Sequence, residues 1–177
     1  ALVRAHMRHA SRFVFHMPFN ELYPAAIDPR ARTLAMERLV QAARLARSYG
    51  VTKLVAHSGY VPLVYHKSWH RERSAEFFRG LLACIPADML LCIENVMEDE
   101  PQLPVSVARD VDDPRLRLCL DIGHANVCQK GAPVPHWLEA FAPYLAHVHL
   151  HNNDGMADSH RGIFEGTLDV ISLMRRA

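Results

Sequence analysis

The chain has 177 residues, of which 50% are hydrophobic and 22% charged, the make-up of a folded domain with a sizeable core rather than a disordered segment. Lys and Arg number 20 against 19 Asp and Glu, a formal charge of +1, which excludes a polybasic nucleic-acid binder but not a local basic groove. No run approaches the ~18 apolar residues of a membrane span, and the opening Ala1-Leu2-Val3-Arg4-Ala5-His6 lacks the charged and apolar regions of a secretory signal. Cys84, Cys92, Cys119 and Cys128 have no CxxC spacing and read as buried free thiols in a reducing, cytoplasmic setting. Cys128 is expected in a loop near Lys130, with nothing that marks it as activated. The 12 histidines are a high count, and several fall at the ends of apolar runs.

Short apolar runs alternate with helical patterns along the chain. Arg12 to His16 reads as a strand. Asp28 then caps a helix with Pro29 at its first position and Gly50 just past its end, a complete start and stop signal. Lys53 to His57 is the next strand, and a helix from Trp69 to Leu82 carries Phe77, Phe78, Leu81 and Leu82 at helical spacing. Met89 to Glu94 is an apolar run ending in a charge, and a shorter helix covers Pro104 to Val111. Leu116 to Asp121 is a fourth strand, Val134 to Leu145 a helix, Ala146 to His151 a fifth strand, and Thr167 to Arg175 opens one more helix. Alternation of this kind implies a parallel sheet flanked by helices.

His16, His57, Glu94, Asp121 and His149 close the five strands, separated by 41, 37, 27 and 28 residues. The mean of about 33 approaches the roughly 31 residues per unit of a (β/α)8 barrel. Two architectures accommodate five units. In an open doubly wound sheet a ligand sits at one switch point, so only two or three strands need functional ends. In part of a barrel every strand end faces one site. Five ligand-type strand ends favour the barrel: a single TIM-barrel domain over residues 1–177, represented by about five of eight units and looking truncated at both ends.

Several of these residues could carry chemistry. Glu94 closes an apolar run, and an unpartnered buried carboxylate costs several kcal/mol, so a cation or hydrogen bonds must offset it. Asp121 closes a strand, with His124 three residues on in the following loop. Alternation puts Cys92 with Glu94, and Cys119 with Asp121, on one inward face, and His147, His149 and His151 on another shared face. Two carboxylates and an imidazole converging from three strands make a mixed N/O site for Mn, Mg, Co or Zn. Taken singly, each has a plainer explanation: a strand-end carboxylate can be a loop acceptor, and a strand histidine, His147 above all, a hydrogen-bonded core residue. His6, His9, His66, His70 and His136 read as solvated. Phosphate-cradling glycine loops, nucleophile elbows and HExxH are absent.

His16-Met17-Pro18-Phe19, Ala56-His57-Ser58-Gly59, Ile93-Glu94-Asn95, Leu120-Asp121-Ile122-Gly123-His124, His149-Leu150-His151-Asn152-Asn153-Asp154-Gly155, Asp158-Ser159-His160 and Glu165-Gly166-Thr167-Leu168-Asp169 occur in that order. From about residue 12 to 170 the chain resembles the xylose-isomerase-like TIM-barrel superfamily, which holds sugar (phosphate) isomerases and epimerases and the endonuclease-IV-type apurinic endonucleases. The resemblance implies that Glu94, Asp121 and His149 are three ligands of a divalent metal, whose fourth, a Glu on the eighth strand, lies beyond this sequence. It implies that His124 contacts the sugar in epimerases and binds a further metal in the nucleases. His16, His57, Asp158 and His160 match positions that complete the nucleases' three-metal cluster and that many isomerase-like members keep. Asn152 stands where the pattern usually has Asp, and Phe164 where it usually has Gly.

The expectation is therefore a divalent-metal-dependent isomerase or epimerase of a sugar or sugar phosphate, moving a proton next to a metal-polarised carbonyl. Glu94 and His124 are the catalytic candidates, Glu94 as acid/base and His124 as orienting group, and Arg161 is the contact for a phosphate if the sugar carries one. The alternatives are phosphodiester hydrolysis at abasic DNA, which three lysines and helix-borne arginines disfavour, and a sugar-binding barrel without turnover. The partner is a small molecule rather than a membrane or nucleic acid, with homo-oligomerisation left open.

Overall fold

The computed structural model describes residues 2–128 and 132–176. A short helix α1 (Leu2–His6) and a 3-10 turn (Met7–His9) precede β1 (Phe15–His16). There follow α2 (Pro29–Ser48), β2 (Lys53–His57), α3 (Lys67–Cys84), β3 (Leu90–Glu94), α4 (Gln102–Val111) and β4 (Leu116–Asp121). The chain continues with α5 (Ile122–Cys128), α6 (Val134–Phe141), β5 (Leu145–His149) and α7 (Val170–Met174). The five strands form one sheet in the order β1-β2-β3-β4-β5, every pair parallel. The order never reverses, so there is no switch point, and the doubly wound alternative is excluded in favour of a five-strand stretch of barrel.

Local chemistry explains the boundaries. The Asp28 carboxylate accepts from the Arg30 N–H at 2.7 Å to start α2. Gly50 (φ +78) ends it, with Gly50 N–H bonded to Arg47 O at 2.9 Å and Val51 N–H to Ala46 O at 3.0 Å, the paired bonds of a left-handed helix stop. Only two residues of the expected first strand pair: Phe15 lies opposite Leu54, so Arg12 and Phe13 fall beyond the start of β2. Helix α6 stops at Phe141, short of Leu145: Ala142 still has helical backbone and donates to Leu138 O, but Pro143 has no N–H with which to continue the ladder. β5 ends at His149 rather than His151, since His149 lies opposite Asp121, where β4 itself ends.

Two faces of the sheet have different company. Leu54, Leu91, Ile93, Leu118 and Leu120 point outward into the main core with Phe78, Leu81, Trp137 and Phe141 from the helices. Val55, Cys92 and Cys119 point inward as a small apolar cluster of their own. His70 corrects the sequence reading: it is buried at 1% exposure on the apolar face of α3, its Nε2 3.2 Å from Ser74 Oγ and its Nδ1 without a partner. The four thiols are free, but Cys84 is exposed and Cys128 half-buried, and only Cys92 and Cys119 are buried. Cys128 ends α5 instead of lying in a loop, and Lys130 lies outside the described residues. No described helix is long and apolar enough to cross a membrane.

Candidate metal centre at the strand ends

Register puts the ligand-type side chains side by side. His57 lies opposite Glu94, Glu94 opposite Cys119, and Asp121 opposite His149, all directed inward at the carboxyl ends of parallel strands. Glu94 and Asp121 are each 1% exposed. Asn95 locks the ends of β3 and β4 together, its Nδ2 donating to Asp121 O at 3.0 Å and its Oδ1 accepting from Asp121 N–H at 2.9 Å.

Glu94 is the hub. Its Oε2 stands 3.1 Å from His16 Nε2 and 3.6 Å from His57 Nε2, and its Oε1 lies 2.8 Å from His149 Nδ1 and 3.7 Å from His124 Nδ1. Burial alone would push its carboxyl up, yet the hydrogen bonds with His149 and His16 outweigh this and hold it well below the usual carboxylate range. The same bonds raise His149 and His16 against the effect of burial. His57, which burial dominates, is pushed down to about 4. Burial also drives the Cys119 thiol far upward, so it sits in the site as a protonated, apolar wall.

His124 lies in α5 and not in a loop as expected. Asp121 Oδ1 accepts its N–H at 2.8 Å, which caps that helix and explains the turn. A second cluster follows: His124 Nε2 is 3.3 Å and His160 Nε2 3.1 Å from Asp158 Oδ2. His151, which the sequence reading does not select as a site residue, completes it. Its Nε2 lies 2.8 Å from Asp121 Oδ1, its ring stacks on His160 at 3.8 Å, and its buried Nδ1 has no partner. The signal was present in the His-x-His-x-His run, but strand alternation placed it on β5 rather than beyond it.

Protonation states test whether these residues suit a cation. A carbonyl only accepts, so the 3.0 Å contact of His16 Nδ1 with Met17 O and that of His124 Nδ1 with Asn95 O both fix the N–H on Nδ1. With the N–H on Nδ1, the second ring nitrogen, Nε2, faces a carboxylate in both: Glu94 Oε2 for His16 and Asp158 Oδ2 for His124. Ring nitrogens facing carboxylates need a proton or a metal cation between them, and backbone-anchored imidazoles are the usual supporting arrangement of metal-ligating histidines. Among the described residues, four candidate ligand groups have atoms within 4.8 Å of one another: His124/His151/Asp158/His160, His16/His57/Glu94, Glu94/Cys119/His149 and Glu94/Asp121/His124. The residue set fits a divalent metal.

The loop that carries Asp158 and His160 is tied down by Asn152. Its Nδ2 donates to Ile163 O at 3.0 Å and Leu168 O at 2.9 Å, while its Oδ1 accepts from Leu168 N–H at 3.1 Å. An aspartate could not make the first two bonds, which gives the departure from Asp a physical reason. Phe164 is 80% exposed, so its ring projects into solvent. Arg161 pairs with Asp154 at 3.3 Å and does not line the site. The cavity over the cluster measures about 770 Å³ and is lined by histidines, carboxylates and apolar residues, with no lysine or arginine among the described lining residues.

Parallel strands in sequential order, flanked by helices and ending in one row of ligand-type side chains, define part of a (β/α) barrel with a candidate metal site. The chain belongs to the xylose isomerase-like TIM barrel family, whose model matches residues 1–177. It is 27% identical over 179 aligned residues to the uncharacterized protein MJ1311 of Methanocaldococcus jannaschii, covering 96% of this chain and 61% of that protein. The chain thus spans about three fifths of the length of that curated relative. Among solved structures it is similar to a D-tagatose 3-epimerase-like protein (TM-score 0.86, 24% identity, 99% of this chain and 69% of the other). It is also similar to the TTHB071 protein from Thermus thermophilus, soaked with ZnCl2 (TM-score 0.83, 26% identity, 99% and 72% covered).

Proposed function

We propose that this chain, as one partial barrel domain, belongs to a divalent-metal-dependent isomerase or epimerase of a sugar. Glu94, Asp121 and His149 would hold the metal, with His16 and His57 completing its surroundings. A divalent cation there supplies Lewis acidity toward a carbonyl oxygen and acidifies the neighbouring C–H. Glu94, ionised and buried, is the carboxylate placed to take up and return that proton. His124, held by its Nδ1 contact with Asn95 O, turns its ring into the cavity beside Asp158 and is the group placed to contact a sugar hydroxyl and fix the sugar's orientation. The cavity of about 770 Å³ carries this reading: it has room for a monosaccharide beside the ligand-type side chains, and no lysine or arginine of the kind that tracks a phosphodiester backbone lines it among the described residues. Incubation with ketoses in D2O tests it: deuterium should enter the carbon next to the carbonyl, and chelation should stop the exchange.

One observation favours a second reading. The His124/His151/Asp158/His160 group adjoins the Glu94 groups through His124, and a multinuclear cluster suits in-line attack on a phosphodiester. Two or three metal ions per chain, with cleavage of abasic DNA and no deuterium exchange into ketoses, would favour it.

A further inference from the structure

We propose that the substrate is an unphosphorylated sugar bearing an apolar ring or short alkyl substituent, seated in a side pocket beside the ligand cluster. The inference rests on the isomerase/epimerase reading and names its substrate class. A second concavity of about 190 Å³ adjoins the main one and shares Phe19, His57 and Val96 with it. Tyr23, Tyr60, Val61 and Met97 supply most of the remaining wall. The pocket is built by close approach of two loops: Gly59 has φ +72, and a Cβ there would run into Pro24. On the shared wall the Phe19 ring stacks on His57 at 4.1 Å between centroids.

Volume, polarity and charge together select the occupant. An apolar cavity of roughly 150 Å³ admits one benzene ring, so this pocket takes one ring or a short alkyl chain. Phe19 and Met97 stay 43% and 47% exposed at its mouth, apolar surface that an apolar group would cover. No lysine or arginine lines either concavity among the described residues, and Arg161 is paired with Asp154. A phosphate seated in the side pocket would therefore meet no lysine or arginine among the described lining residues.

The test uses a panel of ketohexoses, the same sugars as 6-O-benzyl ethers, and the same sugars as 6-phosphates, each with a free carbonyl. Saturation-transfer NMR on the protein with added Zn measures binding, and deuterium entry from D2O measures turnover. The benzyl ethers should bind about tenfold or more tighter than their parents, as expected for burying one aromatic ring. Their ring protons should receive the strongest saturation. Met97→Glu, and separately Val61→Trp, should remove the difference between ether and parent. Ethers no tighter than parents, or phosphates tighter than both, overturn the proposal even if deuterium enters the parent sugars. A tight ether that is lost in Met97→Glu, with no deuterium entering any sugar, upholds the pocket and overturns the isomerase reading instead.

Discussion

His16, His57, Glu94, Asp121 and His149 are carried by five adjacent parallel strands, whereas His151, Asp158 and His160 stand on the chain that follows β5. The strand-borne half gets its positions from backbone register and from Asn95, which ties β3 to β4. The loop-borne half relies on side-chain amides, chiefly Asn152, and on Asp158, which reaches back to His124. Burial follows the division only in part: Glu94 and Asp121 are each 1% exposed and the His160 side chain 58%, but loop-borne His151 is buried and strand-borne His16 exposed. Side chains carried by paired strands are preorganised, while those on the loop can be disturbed without unfolding the sheet. The two halves should therefore fail separately.

The largest effect falls on the hub. Glu94 contributes to three of the four ligand groups, so Glu94→Gln should lower deuterium exchange into substrate by at least about 10³-fold and strip the metal, with the fold intact by circular dichroism. Exchange within tenfold of the native chain would contradict the hub assignment.

Histidine behaviour sharpens the contrast next. Contact with Glu94 raises His16 and His149 against the effect of burial, whereas His70 has no carboxylate partner, and burial lowers it from 6.5 to about 4. Below 6.5 the unfolded chain takes up a proton at this residue that the folded chain refuses. Its contribution is thus present above pH 6.5 and declines as pH falls toward 4, by up to about 3 kcal/mol. Urea unfolding of His70→Leu between pH 7 and pH 4.5 should show a shallower loss of stability than the native chain, and parallel curves would count against a buried neutral His70.

Disturbing the loop alone comes third. A Cβ on Gly166 would press into the Asn152 amide and the Asn153 carbonyl, so Gly166→Ala should loosen residues 153–168 by about 2 kcal/mol. Hydrogen exchange should rise there and stay unchanged in β2 to β4, and a metal held by Glu94, Asp121 and His149 should remain. The smallest effect is expected at Arg161. Its pair with Asp154 is solvent-exposed, so Arg161→Ala should shift stability by less than about 0.5 kcal/mol and turnover by less than about twofold. A large rise in KM for a phosphorylated sugar would instead make Arg161 a phosphate contact.

The same division marks what was legible in the sequence. The strand-borne residues announced themselves because a buried parallel strand ends abruptly and its last inward residue stands out against an apolar run, as Glu94 does after Leu91-Cys92-Ile93. Their spacing also pointed to a barrel, which the unreversed strand order bears out. Loop geometry has no such period. Asp158 and His160 were reachable only through family resemblance, and His151 escaped because its role depends on where β5 stops. Helix α5 was missed since seven residues with a glycine in the first turn carry little helical signal, although Asp121 three residues before His124 is a cap pattern. His70 was misjudged despite sharing a helical face with Ser74, Phe78 and Leu81: one polar residue was read by type rather than by period.

The most direct test of the central claim is metal content per chain by mass spectrometry, on protein purified without chelator, for the native chain, Glu94→Gln and Gly166→Ala. A metal centre held by the strand ends predicts stoichiometric divalent metal in the native chain, its retention in Gly166→Ala and its loss in Glu94→Gln. No metal in the native chain, or metal that survives Glu94→Gln, would contradict it.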